Sequence, residues 1–122
     1  MGPATGQRSM VKALYIPDRG DIVWIKFDPH KGHEQANRRP AVVLSSRPYN
    51  ERSELLLACP ITSKIKNYPF EIKIEDGKIT GAILANQIRS FDWQARQPRF
   101  IQRLQPKLII EVRECILQML SD

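Results

Sequence analysis

The chain has 122 residues, a formal net charge of +6 and a sequence pI near 9.6, with 42% hydrophobic and 26% charged residues. That length supports one hydrophobic core and leaves too little apolar material for a second, and no apolar run approaches the roughly 20 residues that a bilayer-crossing helix needs. The basic balance favours an anionic partner such as nucleic acid, because lysine and arginine replace the counterions condensed on phosphates; a basic but merely solvated surface is the alternative.

Residues 1–9 hold no apolar signal region and precede a second methionine, Met10, so they read as an added leader or an alternative start, with the folded domain spanning 10–122. Ile22, Trp24 and Lys26 then alternate with Val23, Ile25 and Phe27, which predicts a strand with one face on the core and the other partly covered. After the charged loop around Gly32-His33-Glu34-Gln35, the runs from Pro40 to Ser45 and from Glu54 to Ile61 are mostly apolar and read as strands buried on both faces. Phe70, Ile72 and Ile74 alternate with Glu71, Lys73 and Glu75 in a half-exposed strand that ends at the turn Asp76-Gly77. Gly81 to Ile88 supplies another strand and Phe100 to Leu104 a short one. From Pro106 to Leu120 the period changes: Ile109, Val112, Ile116 and Met119 or Leu120 recur at helical spacing behind a proline suited to a first turn. The pattern is mainly β with α additions, a small SH3-like barrel with a C-terminal helix.

Cys59 lies inside the apolar run that starts at Leu55, and Cys115 lies in the helical pattern, so both read as buried thiols outside any disulfide or zinc framework. With no secretory signal and no Cys/His cluster, the expected compartment is a reducing cytoplasm, with no metal and no cofactor.

The chemistry concentrates around residues 33–39. An acid, an imidazole and two guanidinium groups within a few residues suit a phosphodiester, whose cleavage needs a base for the nucleophile, a stabiliser for charge on the phosphorane and an acid for the leaving oxygen. Arg39 can hold two phosphate oxygens at once, and Pro40 fixes its backbone at the mouth of a strand; an ion pair on a sheet edge is the other reading. Thr62, at the end of a buried strand, can donate a hydroxyl hydrogen bond to the same phosphate or be an ordinary strand threonine. His33 has the side chain whose unperturbed pKa best suits proton transfer at neutral pH.

Several phrases together carry a family resemblance. Arg19-Gly20-Asp21-Ile22-Val23-Trp24-Ile25-Lys26-Phe27-Asp28-Pro29 leads through Gly32-His33-Glu34-Gln35 to Arg38-Arg39-Pro40-Ala41-Val42-Val43-Leu44-Ser45. Cys59-Pro60-Ile61-Thr62-Ser63, Tyr68-Pro69-Phe70-Glu71 and Asn86-Gln87-Ile88-Arg89-Ser90 follow in order, ahead of the helix. From about Met10 onward the chain resembles the MazF/PemK toxins, small bacterial endoribonucleases of toxin–antitoxin modules.

The resemblance implies the SH3-like fold shared with CcdB and Kid, with Arg39 and Thr62 as catalytic residues. It implicates Glu34 as a base or as a group that orients Arg39, although a solvated loop carboxylate is the alternative. His33 becomes a substrate-contact or auxiliary acid–base residue in the same loop as Gln35 and Arg38. Lys64 and Lys66 can contact flanking phosphates, while Gln87 and Arg89 match the groove floor. Asn86 replaces the aspartate often found in relatives. Trp24, Phe70 and Trp93 can stack on unpaired bases or pack in the core and at an interface. The implied activity is metal-independent, sequence-specific cleavage of single-stranded RNA to a 2′,3′-cyclic phosphate and a 5′-hydroxyl. The implied partners are a second copy in a homodimer and a MazE/PemI-like antitoxin. A CcdB-like toxin that binds a protein target such as gyrase without catalysis is the alternative; such chains end in Trp-Gly-Ile, whereas this one ends in Met119-Leu120-Ser121-Asp122.

Overall fold

The computed structural model describes residues 14–27 and 38–121. Among these residues a seven-stranded sheet, with all pairings antiparallel, curls into a half-barrel. The strands are β1 (Asp21–Lys26), β2 (Arg38–Val43), β3 (Leu55–Thr62), β4 (Glu71–Asp76), β5 (Ile79–Leu84), β6 (Arg89–Asp92) and β7 (Arg99–Arg103). Helix α1 (Arg47–Ser53) joins β2 to β3, the short α2 (Trp93–Arg96) follows β6, and α3 (Pro106–Ser121) closes the described chain. No helix among the described residues is long and apolar enough to cross a membrane.

Because strand side chains alternate, β1 to β3 feed two separate cores, and the sequence expectation of two-sided burial holds for β2 and β3. Ile22, Val42, Cys59, Ile61 and Ile83 pack on one side, where Val112 of α3 covers them and Ile109 and Ile116 add their flanks. Val23, Ile25, Ala41, Val43, Leu56, Ala58, Phe91 and Trp93 pack on the other. Burial pushes the Cys59 thiol up to about 12, with Cys115 adding a smaller effect. Cys115 itself is only half-buried, less enclosed than its sequence context implies.

Strand β3 organises the topology. One edge pairs with β2, while the other pairs with β6 from Leu55 to Ala58 and with β5 at Ile61 and Thr62. The chain must therefore step from the β5 track to the β6 track, and it does so in a 3₁₀ turn over Ala85–Gln87. This divides the single strand expected from Gly81 to Ile88. Phe70 likewise stays outside its expected strand, since β4 begins at Glu71.

Helix α1 and the turn of α2 lack an apolar period long enough to read in sequence. Buried Asn50 holds α1 in place: its Nδ2 donates to the Pro17 and Ser45 carbonyls (2.7 and 3.1 Å), its Oδ1 accepts from Ser45 Oγ, and Trp93 Nε1 donates to its carbonyl at 3.0 Å. Trp93 is thus a core residue. At the start of β1, buried Asp21 accepts from Tyr15 Oη and from Arg103 Nη1 at 2.6 and 2.7 Å. Burial, followed by the hydrogen bond to Asp21, pushes the Tyr15 phenol well above its usual range.

Candidate active site

The register of β1, β2, β3 and β6 fixes which side chains share a face. Ile25 pairs with Arg39 and Val23 with Ala41; Ala41 pairs with Pro60; Ala58 pairs with Arg89 and Leu56 with Phe91. Directly opposed residues of antiparallel strands project to the same side, so Phe27, Arg39, Pro60, Thr62 and Arg89 form the upper rim of the face that buries Val23, Ile25, Ala41 and Ala58.

Proline chemistry opens a groove at this rim. β2 and β3 are paired from Val43↔Ala58 only as far as Ala41↔Pro60, and neither Pro40 nor Pro60 has an N–H with which to extend a ladder. Beyond that pair the strands part around an open groove of about 780 Å³, with Arg39 and Pro40 on one wall and Pro60, Thr62 and Lys64 on the other. Gln87 and Arg89 add to the lining with Phe27, and none of the described lining residues is an aspartate or glutamate.

Each polar group has a local reason for its position. Thr62 ends β3, and its Oγ1 accepts the Lys64 N–H at 3.0 Å; with a lone pair so occupied, the hydroxyl hydrogen is left to donate. Behind Thr62, β5 comes so close at Gly81 that a Cβ there would collide with the Thr62 carbonyl oxygen. Arg39 and Arg89 are solvent-exposed. Their Cζ atoms lie 5.6 and 5.4 Å from the centre of the Phe27 ring. Gln87 sits in the 3₁₀ turn and Arg89 at the first position of β6, so the break in the expected strand puts both at the groove.

The structure thus brings together Arg39, Thr62, Lys64, Gln87 and Arg89. Arg38 turns away, its Nη1 donating to the Gln97 carbonyl at 3.2 Å. Lys66 is not part of the lining; it belongs to the loop where its own N–H and that of Asn67 donate to the Glu71 carboxylate at 3.0 and 2.8 Å. In that loop Tyr68 and Phe70 stack with ring centres 5.1 Å apart. Trp24 faces outward from β1 and is 41% exposed. His33, Glu34 and Gln35 lie outside the described residues. Phe27 is a groove residue to which sequence reasoning assigned no role. Its signal was the alternation of β1, which places it two residues past Ile25 on the face that carries Arg39.

As chemistry, the groove offers fixed positive charge from two guanidiniums and an ammonium, a hydroxyl donor, and an amide able to read base edges. Among the described residues, no group of three or more His, Cys, Asp or Glu is placed to hold a metal ion.

Comparison with known proteins agrees with this architecture. Residues 18–120 match the family model of the PemK-like, MazF-like toxin of type II toxin–antitoxin system. The Endoribonuclease toxin MazF of Escherichia coli K12 is 48% identical over 82 residues, covering 67% of this chain and 74% of that protein. The Endoribonuclease toxin ChpB of the same strain is 40% identical over 85 residues, covering 65% and 72%. The crystal structure of MazF from Deinococcus radiodurans superposes with a TM-score of 0.80 at 40% identity, covering 89% of this chain and all of that one. A MazE–MazF crystal structure from the same organism gives 0.79 at 35% identity over 89% of this chain and 100% of the matched one. With the family model matching residues 18–120 and the D. radiodurans fold covering 89% of the chain, this chain belongs to the PemK-like, MazF-like toxins of type II toxin–antitoxin systems.

Proposed function

We infer that this chain is the toxin of such a module and acts as a metal-independent endoribonuclease on single-stranded RNA, arresting translation and growth. The observation that carries the reading is the convergence of Arg39, Thr62, Lys64, Gln87 and Arg89 on one groove whose described lining has no carboxylate. Such a wall attracts a phosphodiester. The names of the E. coli relatives support the same reaction.

In the proposed reaction the RNA supplies its own nucleophile. The 2′-oxygen attacks the adjacent phosphorus as the 5′-oxygen departs, leaving a 2′,3′-cyclic phosphate and a 5′-hydroxyl. Arg39 holds the non-bridging oxygens through two N–H groups, and its fixed charge stabilises the phosphorane as charge builds. The Thr62 hydroxyl donates to the same phosphate. Glu34 takes the 2′-proton or orients Arg39, with His33 as the auxiliary acid–base group. Lys64 contacts a flanking phosphate at the groove and Lys66 one beyond it, and Gln35, Gln87 and Arg89 read neighbouring nucleotides.

A homodimer fits the surface left uncovered: Ile110, Leu117 and Leu120 on the outer side of α3 are 50%, 54% and 78% exposed, more apolar exposure than a lone helix face usually leaves in water. A basic groove also suits an acidic antitoxin tail that folds on binding, and the MazE–MazF structures supply the precedent. The site of action is the cytoplasm. The gyrase-poison alternative loses ground because the matched relatives are endoribonucleases.

The test is end-mapping of RNA cut by the purified protein in excess EDTA. Cyclic phosphate and 5′-hydroxyl ends at a short recurring sequence are expected. Activity lost to chelation and restored by magnesium would overturn the metal-independent mechanism.

A further inference from the structure

Two guanidinium groups lie over the Phe27 ring. The Arg39 and Arg89 Cζ atoms lie 5.6 and 5.4 Å from its ring centre, inside the roughly 6 Å over which an aromatic face attracts an arginine. The two cations come from strands that are not neighbours, since β2 and β6 lie on opposite edges of β3. Only the curl of the sheet brings Arg89 to the ring at the end of β1. Phe91, one strand position inward, meets Phe27 edge-on at 5.0 Å and takes Arg89 at 4.6 Å and Arg96 at 5.2 Å. Arg96 also ties down the main chain under the ring, its Nη1 donating to the Lys26 and Phe27 carbonyls at 3.0 and 2.6 Å.

The mode of holding matters. Neither Arg39 nor Arg89 makes an ion pair with a described residue, the ion pair within the described chain being Arg103–Asp21. A carboxylate partner would occupy the N–H edge of a guanidinium, the edge that grips phosphate. An aromatic ring occupies the flat face and leaves the five in-plane N–H donors free. It also brings no negative charge that would repel an RNA backbone.

We propose that Phe27 is a positioning residue of the cleavage site: its ring fixes the Arg39 and Arg89 guanidiniums relative to each other, so that the RNA backbone meets both cations already aligned. The proposal rests on the ribonuclease reading above. Two arginine side chains otherwise lose their rotamer freedom when RNA binds, and a pre-aligned pair avoids that loss.

Phe27→Leu keeps an apolar side chain against Phe91 but removes the π face; Phe27→Tyr keeps the face. Both are compared with the wild-type protein on a short fluorogenic RNA, and thermal midpoints are measured alongside. Phe27→Leu is expected to lower kcat/KM about five- to tenfold, as loss of two exposed cation–π contacts implies, and Phe27→Tyr to stay within about twofold of wild type. On an Arg89→Gln background the leucine change is expected to cost only about two- to threefold, because one of its two clients is gone. Should the leucine variant melt below the assay temperature, Phe27→Met enters the same cycle with the same expectations. Equal losses for tyrosine and leucine would overturn the proposal in favour of packing. A leucine effect unchanged by Arg89→Gln would overturn it in favour of direct contact between Phe27 and a base. Wild-type cleavage with no loss in Phe27→Leu would sink the proposal alone, whereas a wild-type protein that cuts no RNA would remove the ribonuclease reading beneath it.

Discussion

Gly81 is the sharpest point at which the fold controls the site. A Cβ at this position would overlap the Thr62 carbonyl oxygen and approach the Thr62 carbonyl carbon to 3.1 Å and Ile61 Cγ2 to 3.5 Å. The obstacle is backbone, so no side chain can swing aside. Gly81→Ala must push β5 away from β3 at the Ile61↔Ile83 and Thr62↔Ala82 pairs. Overpacking of this kind costs about 1–3 kcal/mol of stability. Thr62 is where the displacement lands, and in its proposed role a misplacement of about 1 Å costs on the order of a hundredfold in rate. Urea unfolding should therefore show a modest loss, while cleavage of a fluorogenic RNA under conditions where the variant is fully folded should fall by about two orders of magnitude. A Gly81→Ala protein that unfolds at the wild-type midpoint and cuts at the wild-type rate would refute the idea that β5 sets the position of Thr62.

Three further outcomes follow from the same structure. Lys64→Ala should weaken binding of a non-cleavable deoxy-substituted RNA and lower the slope of log Kd against log salt by about one, the signature of one lost phosphate contact. Asn50→Ala leaves the Pro17 and Ser45 carbonyls and Ser45 Oγ without their buried partner, so chemical denaturation should show a loss of about 2–4 kcal/mol. Partial burial opposes charge on Asp18, yet N–H donors from Arg47 and Arg19 and the charges of Arg47 and Arg103 outweigh it and hold the carboxyl below its usual range. A depressed carboxyl contributes stability that is present above its unfolded pKa and lost as pH falls through the folded one. Asp18→Asn should accordingly flatten the decline in thermal midpoint below about pH 4, and an unchanged acid profile would contradict this.

Elements whose signal is local were legible in the sequence. The alternation of β1 and β4 and the helical period of α3 need no distant partner to be read, and the two-sided burial of β2 and β3 shows as unbroken apolar runs. The division of β5 from β6 was hidden because it arises from β3, which changes partners along one edge between Ala58 and Ile61. No residue from Gly81 to Ile88 encodes that change by itself. Helix α1 was missed because its anchor, Asn50, works through Pro17 and Trp93, far off in sequence. At the site, Arg39 and Thr62 could be singled out from the sequence as the residues proposed to hold the phosphate. Their shared groove depends on Pro40 and Pro60 ending the β2–β3 ladder together. Phe27 passed as a strand residue because its two arginines arrive from separate strands through the curl of the sheet.

The central claim is that this groove cleaves RNA by transfer to the RNA's own 2′-oxygen with Arg39 stabilising the charge. It is tested most directly by one substrate carrying a single deoxyribose 5′ to the scissile phosphate, measured beside its all-ribose twin with wild-type protein and Arg39→Ala in excess EDTA. The all-ribose RNA should be cut by wild type and at least a hundredfold more slowly by a folded Arg39→Ala, while the deoxy RNA should bind wild type and stay intact. Cutting of the deoxy RNA at the normal rate, or normal cutting by Arg39→Ala, would contradict the claim.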